Sequence, residues 1–143
     1  MSRMLLPIDG SETALRAAQY LVGRAAQMRE PMEVLLLNVQ PPVPPRRASA
    51  GSTEAQNAEV QLREEGSKAL APARKLLEAA GIKHQHHVEL GDPVQLIEHY
   101  ARIYHCDEIV MGTRGKTSIL NLVVGSVTTK VLHVATVPVV LVK

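Results

Sequence analysis

Phenylalanine and tryptophan are absent from this 143-residue chain, which carries only three tyrosines. Its core must be built from valine, leucine, isoleucine and alanine, within a composition that is 45% hydrophobic. A bound base would meet aliphatic walls rather than an aromatic stacking platform, which argues against single-stranded nucleic acid as a partner. Neither sign of charge is in excess. The formal net charge is +2, with acids and bases interspersed, so little draws the chain to DNA, RNA or a membrane surface. Cys106 is the only cysteine, which excludes an internal disulfide and suits a reducing cytoplasm. No apolar run reaches transmembrane length. Met1 to Ile8 is too short for a signal peptide and runs straight into Asp9, so a cytosolic location is expected. One domain, 1–143, is the simplest organisation, and a chain of this size buries about 70% of its unfolded surface without staples.

What is present alternates between apolar runs and helical patterns. Met4–Ile8 reads as a first strand, with Pro7 near its end because it lacks an N–H. Asp9-Gly10-Ser11 is a turn in which Asp9 or Ser11 is placed to cap a helix. Asp9 equally suits a polar contact to a ligand at the carboxyl end of the strand. Ser11 to Met28 carries Ala14, Ala18, Leu21 and Ala25 at helical spacing. Glu33–Val39 is a near-continuous apolar run, as in a parallel strand covered on both faces. The stretch 41–52 is Pro-rich, then small and basic, and reads as a mobile surface loop with Arg46 and Arg47 solvated. Glu54 to Ala80 is helical in composition. Pro72 inside it predicts a kink, or two helices meeting near Ser67 to Ala71, and Gly81 is a natural terminator. Ile82–Leu90 reads as a polar edge strand. His84 and His86 share a face there, but no third ligand completes a metal set. Asp92 and Pro93 start a helix with a buried stripe of Val94, Ile97, Ala101 and Tyr104. His99, His105 and Cys106 have no partner in sequence that suggests chemistry. Thr136–Val142 is a closing strand, with Pro138 near its start.

The informative stretch is Met111 to Ser126, which follows the buried run Glu108–Met111 and precedes a helical segment, Val127–His133. Glycines stand at 112, 115 and 125. Gly112 and Gly115 could expose N–H groups in a tight loop, while Gly125-Ser126 sits where a helix starts, with unpaired N–H groups and the positive end of its dipole. Two such elements suit a polyphosphate. The alternative is a strand-to-helix turn that needs glycine for geometry alone; Arg114, Lys116 and Ser126 weigh toward phosphate. Gly115-Lys116-Thr117 is not the end of a P-loop, because that motif needs a glycine where Val110 stands.

Five strands with intervening helices predict an α/β fold, a parallel, doubly wound, Rossmann-like sheet. Ligands in such sheets bind beyond the carboxyl ends of strands, where the strand order reverses. A reversal between the first and fourth strands would bring Asp9 beside Gly112, with Val39 bordering the same crevice.

These residues resemble the universal stress protein family in its ATP-binding branch, across essentially the whole chain. The specific part is Gly112-x2-Gly115-x9-Gly125-Ser126, supported by Pro7-x-Asp9-x-Ser11, the Leu-x-Val ending at Val39, Gly91-Asp92-Pro93 and Thr136-Val-Pro-Val-Val. The resemblance implies the sheet order 3-2-1-4-5 with helices on both faces. It implies adenine near Pro7, Ile8, Asp9 and the backbone of Val39. Ribose and phosphates would pass Met111, Gly112, Arg114 and Gly115 to Gly125, Ser126, Val127 and Thr128. A Mg²⁺ ion would ride on the phosphates of ATP rather than in a protein cage. Asn121 stands where many relatives carry a basic residue, which weakens outer phosphate contacts, and nothing carries over for the loop 41–52.

No general base or nucleophile arrangement stands near the expected phosphates. The leading expectation is an ATP-binding regulatory protein of a stress response, acting on a protein partner that the sequence does not name. A slow ATPase or phosphotransferase, and an interaction module without nucleotide, are the alternatives. With the order 3-2-1-4-5, strand 137–142 is an apolar edge, so a homodimer through that strand is expected.

Overall fold

The computed structural model describes residues 1–44, 53–114 and 124–143. Gly115, Lys116, Asn121, Arg46 and Arg47, named above, lie outside the described residues, as does most of the loop 41–52.

Five parallel strands alternate with four helices: β1 (Ser2–Pro7), α1 (Glu12–Gln27), β2 (Met32–Gln40), α2 (Thr53–Ala79), β3 (Lys83–Leu90), α3 (Pro93–Ile103), β4 (Glu108–Gly112), α4 (Ser126–Val134) and β5 (Val139–Val142). The sheet order is β3-β2-β1-β4-β5, as the family resemblance implies. The order reverses between β1 and β4.

The apolar runs are continuous because alternate residues enter different cores. Met4, Leu6, Val34, Leu36 and Val110 meet Ala14, Ala17, Ala18 and Leu21 of α1 and Leu70, Ala73 and Leu77 of α2. Leu5, Leu35, Leu37, Ile109 and Met111 meet Ile97, Tyr100 and Ala101 of α3 and Val131 of α4. In the stripe expected for α3, Ile97 and Ala101 are buried, Val94 and Tyr104 are partly so, and Tyr100 joins them. The caps of α1 and α3 follow the sequence: Ser11 Oγ accepts from Ala14 N–H at 3.2 Å and Asp92 Oδ1 from Gln95 N–H at 2.9 Å.

Of the two readings offered for residues 54–80, the split into two helices is corrected: α2 runs unbroken through Pro72. Proline inside a helix costs ~3 kcal/mol, and burial of the neighbouring Leu70, Ala73 and Leu77 against the sheet offsets it.

At the amino end of the sheet, Glu33 is 2% exposed. Arg3 donates to its carboxylate through Nη2 at 3.1 Å and Nε at 3.3 Å, and Gln85 Nε2 donates at 3.0 Å. The Gln85 bond, then the Arg3 guanidinium, hold the Glu33 carboxyl below its usual range despite its burial. A depressed carboxyl pKa makes stability that is complete above the unfolded value, about 4.3, and lost as pH falls through the lower folded value. Urea unfolding from pH 7 to pH 3 is expected to show this acid loss. Glu33→Gln, which cannot ionise, should flatten the slope below pH 4.5 and lower stability at pH 7 by ~1–3 kcal/mol. An unchanged acid slope in the variant would mean that Glu33 is not the group responsible.

Candidate functional site: the crevice between strands one and four

The first wall is the β1–α1 segment. Pro7 is the last residue of β1 and lies opposite Leu37. Ile8 is buried and donates its N–H to the Leu37 carbonyl at 2.8 Å. Gly10 turns the chain with φ of 86°, and Asp9 Oδ1 accepts from Ser11 N–H at 2.9 Å. Asp9 therefore shapes the turn before the helix, while Ser11 is the cap itself. The carboxylate of Asp9 is exposed at the end of β1. Beside it, β2 continues three residues past the end of its ladder with β1, as Asn38, Val39 and Gln40.

The second wall is the end of β4. Met111 is buried and pairs with Leu141, and Gly112 pairs with Val142. A Cβ at Gly112 would lie 2.5 Å from Thr13 Oγ1, 2.7 Å from the Thr13 carbonyl carbon and 2.8 Å from Ala14 N. The first turn of α1 thus packs directly on the Gly112 backbone, a demand for glycine that comes from the fold. Thr113 donates its N–H to the Val142 carbonyl at 2.9 Å. The Arg114 carbonyl accepts from the hydroxyls of Thr13 and, at 3.3 Å, Ser11.

The third element is the start of α4. Gly125 is the N-cap, with φ −70° and ψ 163°, a conformation open to any residue. Its N–H goes to the Thr113 carbonyl at 2.6 Å. What glycine contributes here is the lack of a capping side chain. The amides of Ser126, Val127 and Thr128 occupy the first turn, where no intrahelical acceptor exists. Thr128 Oγ1 turns away from them to donate to the Gly112 carbonyl at 3.1 Å. Free N–H groups and the positive dipole end suit an anion.

The fold thus brings Asp9, Gly112, Arg114 and Gly125–Thr128 to one end of the sheet. Sequence reasoning missed Thr13, Thr113 and Asn38. Asn38 had a visible signal, since it is the one amide inside the apolar run 34–39, and a polar group buried there needs partners.

The remaining candidates lie away from the crevice. His84 Nδ1 bonds the Ile82 carbonyl at 2.8 Å. His86 has its pKa lowered, first by desolvation and then by Arg74 and its neighbouring histidines. His87 packs against Tyr100 and Tyr104, with ring centroids 5.2 and 5.4 Å away. Burial pushes the Cys106 thiol up to about 11, which makes it a poor nucleophile at neutral pH. Among the described residues, no three metal-ligating side chains converge and no helix is long and apolar enough to cross a membrane. An open groove of about 680 Å³ runs along α3, lined among others by Leu90, Leu96, His99, Arg102 and Val134, and shares no residue with the crevice.

A parallel sheet in this order, with an uncapped helix start at its switch point, defines a class of Rossmann-like α/β domains suited to anionic ligands. Within that class the chain belongs to the universal stress protein family, whose model matches residues 1–143. It is 33% identical over 142 residues to universal stress protein MJ0531 of Methanocaldococcus jannaschii, covering 99% of this chain and 81% of the relative. The structure of the hypothetical protein MJ0577 superposes with a TM-score of 0.84 at 30% identity, covering 99% of this chain and 95% of that one. Several neighbours of lower identity hold adenine nucleotides. A universal stress protein family member from Arabidopsis thaliana has AMP bound (TM-score 0.72, 18% identity, covering 100% of this chain and 92% of that one). Others are complexes with cAMP and dAMP.

Gly112→Ala is expected to lower stability by ~1–3 kcal/mol in urea unfolding, because the new methyl meets backbone atoms of α1. Gly23→Ala, in the same helix with nothing within 4 Å of the added Cβ, should instead raise it by about 0.5–1 kcal/mol. Equal effects at the two sites would disprove the close approach.

Proposed function

We propose that this protein binds ATP in the β1–β4 crevice and acts as a nucleotide-dependent regulatory module. The observation that carries the reading is the start of α4. Its N-cap is a glycine without a capping side chain, and its first-turn amides stand at the switch point. Phosphates would lie on the amides of Ser126, Val127 and Thr128, with Gly115 and Arg114 alongside. The adenosine end would lie toward Ile8, Asp9 and the backbone of Val39. Mg²⁺ would neutralise the phosphates, its remaining ligands being water. The adenine nucleotides held by structural neighbours support the base, and family membership supports a role in stress adaptation within the cytoplasm. Binding rather than turnover is proposed, since the crevice carboxylate Asp9 already accepts the Ser11 N–H and is assigned to the adenosine end.

Calorimetry with ATP and Mg²⁺ should show one site per chain. Asp9→Ala should weaken binding by roughly 1–3 kcal/mol if a hydrogen bond to the adenosine end is lost. A role confined to the turn would appear as lower thermal stability with affinity intact. Undiminished affinity in a folded variant removes Asp9 from the site.

The regulatory reading includes a second copy of the chain. β5 is the sheet edge, its Val139–Val142 side chains are only half-buried, and Leu132 and Val134 of the preceding helix are 46% and 45% exposed. An apolar edge with unpaired backbone groups favours pairing with its twin about a two-fold axis. Sedimentation at micromolar concentration is expected to give a dimer. A monomer, or a dimer that persists when Leu141 is changed to Lys in a folded protein, counts against this interface.

A further inference from the structure

Asn38 is 1% exposed and lies where β2 has outrun β1. The β1–β2 ladder ends at Pro7 and Leu37, with the Ile8 N–H as its last backbone donor. Along β4, β1 pairs at Met4 and Leu5 alone among the described residues. Among the described residues, the strand pairing of β1 stops at these points, short of Asp9. There the Asn38 side chain takes over: Nδ2 donates to the Ile8 carbonyl at 2.8 Å. Its Oδ1 accepts from Gln40 Nε2 at 2.9 Å, which fixes the amide's orientation. The third constraint is Gly66 of α2, where a Cβ would stand 2.6 Å from Asn38 Oδ1 and 2.5 Å from Val88 Cγ1. The helix backbone thus packs directly against the amide oxygen.

We propose that Asn38 is a positioning residue for the adenosine end of the crevice, acting through the Ile8 carbonyl on the segment that carries Asp9. The inference rests on the ATP reading given above. The proposal goes beyond the general need to satisfy a buried carbonyl, because the carbonyl in question is one residue from the Asp9 carboxylate. Loss of the clamp loosens the backbone that carries that carboxylate, while the α4 amides, on the opposite wall, stay in place. The defect should therefore be confined to one end of the ligand.

The test uses Asn38→Leu, which keeps the bulk and removes the donor, and Gln40→Leu, which removes only the orienting partner. Calorimetry would compare ATP, adenosine and inorganic triphosphate. Hydrogen exchange would follow the amides of Asp9 to Ser11. Asn38→Leu is expected to weaken ATP and adenosine by the same factor, about tenfold, with triphosphate unchanged and exchange at Asp9–Ser11 accelerated. Gln40→Leu should act in the same direction by roughly two- to fivefold, and it decides the matter if Asn38→Leu does not fold. Wild-type affinity for ATP in a folded variant, or an equal loss toward triphosphate, overturns the positioning role. Failure of the wild-type protein to bind ATP overturns the nucleotide reading instead, and unchanged exchange at Asp9–Ser11 then overturns the clamp as well.

Discussion

Where Gly112 meets Thr13 and Ala14, the end of a strand and the first turn of a helix touch with no side chain between them. The rest of the carboxyl pole depends on that contact. It brings the Thr13 hydroxyl onto the Arg114 carbonyl. The Gly112 carbonyl, in turn, takes the hydroxyl of Thr128 from the opposite helix. The next residue, Thr113, ties β5 through its N–H and the cap of α4 through its carbonyl. Two helices and a strand are thus keyed to three consecutive residues at the end of β4.

Each of these bonds is worth only about 0.5–1.5 kcal/mol. Their importance is geometric. Among the described residues, the Thr13 and Thr128 hydroxyls bond the Arg114 and Gly112 carbonyls, and the first-turn amides of α4 have no intrahelical acceptor. A helix start of that kind favours an anion without any large net charge. That agrees with a chain whose formal charge is only +2.

Most of the fold was legible in the sequence, because each strand is an apolar run and each helix but the second has a recognisable start. Asp92 announced its cap and makes it, and of the two candidates for α1, Asp9 and Ser11, it is Ser11 that caps. Pro72 left a break open as one of two readings, since proline reads as a break locally while the burial that keeps α2 continuous is tertiary. Gly112 was legible as a close approach but not as to what approaches: the demand comes from a helix a hundred residues earlier in the chain. Gly125 was legible as a helix start, whereas the loss of its own N–H to Thr113 was not. Asn38 shows the general limit. A lone amide in an apolar run signals a buried bond, but its acceptor is on another strand and has no signature of its own.

The buried ionic group of the sheet and its crevice lie at opposite ends. Arg3, Glu33 and Lys83 form one ionic group at the amino pole, to which Asp107 is joined through the Arg3 N–H. At the carboxyl pole the contacts of Gly112, Thr113 and Arg114 with α1 and α4 run through neutral hydroxyls and backbone groups. Arg3 and Asp9 are six strand residues apart, about 20 Å at the usual rise, more than twice the Debye length of about 8 Å in physiological salt. Substitutions among the amino-pole ions can therefore retune acid tolerance or thermal resistance while the field felt by an incoming anion stays the same. Acid tolerance and the chemistry of the carboxyl pole are thus free to change independently.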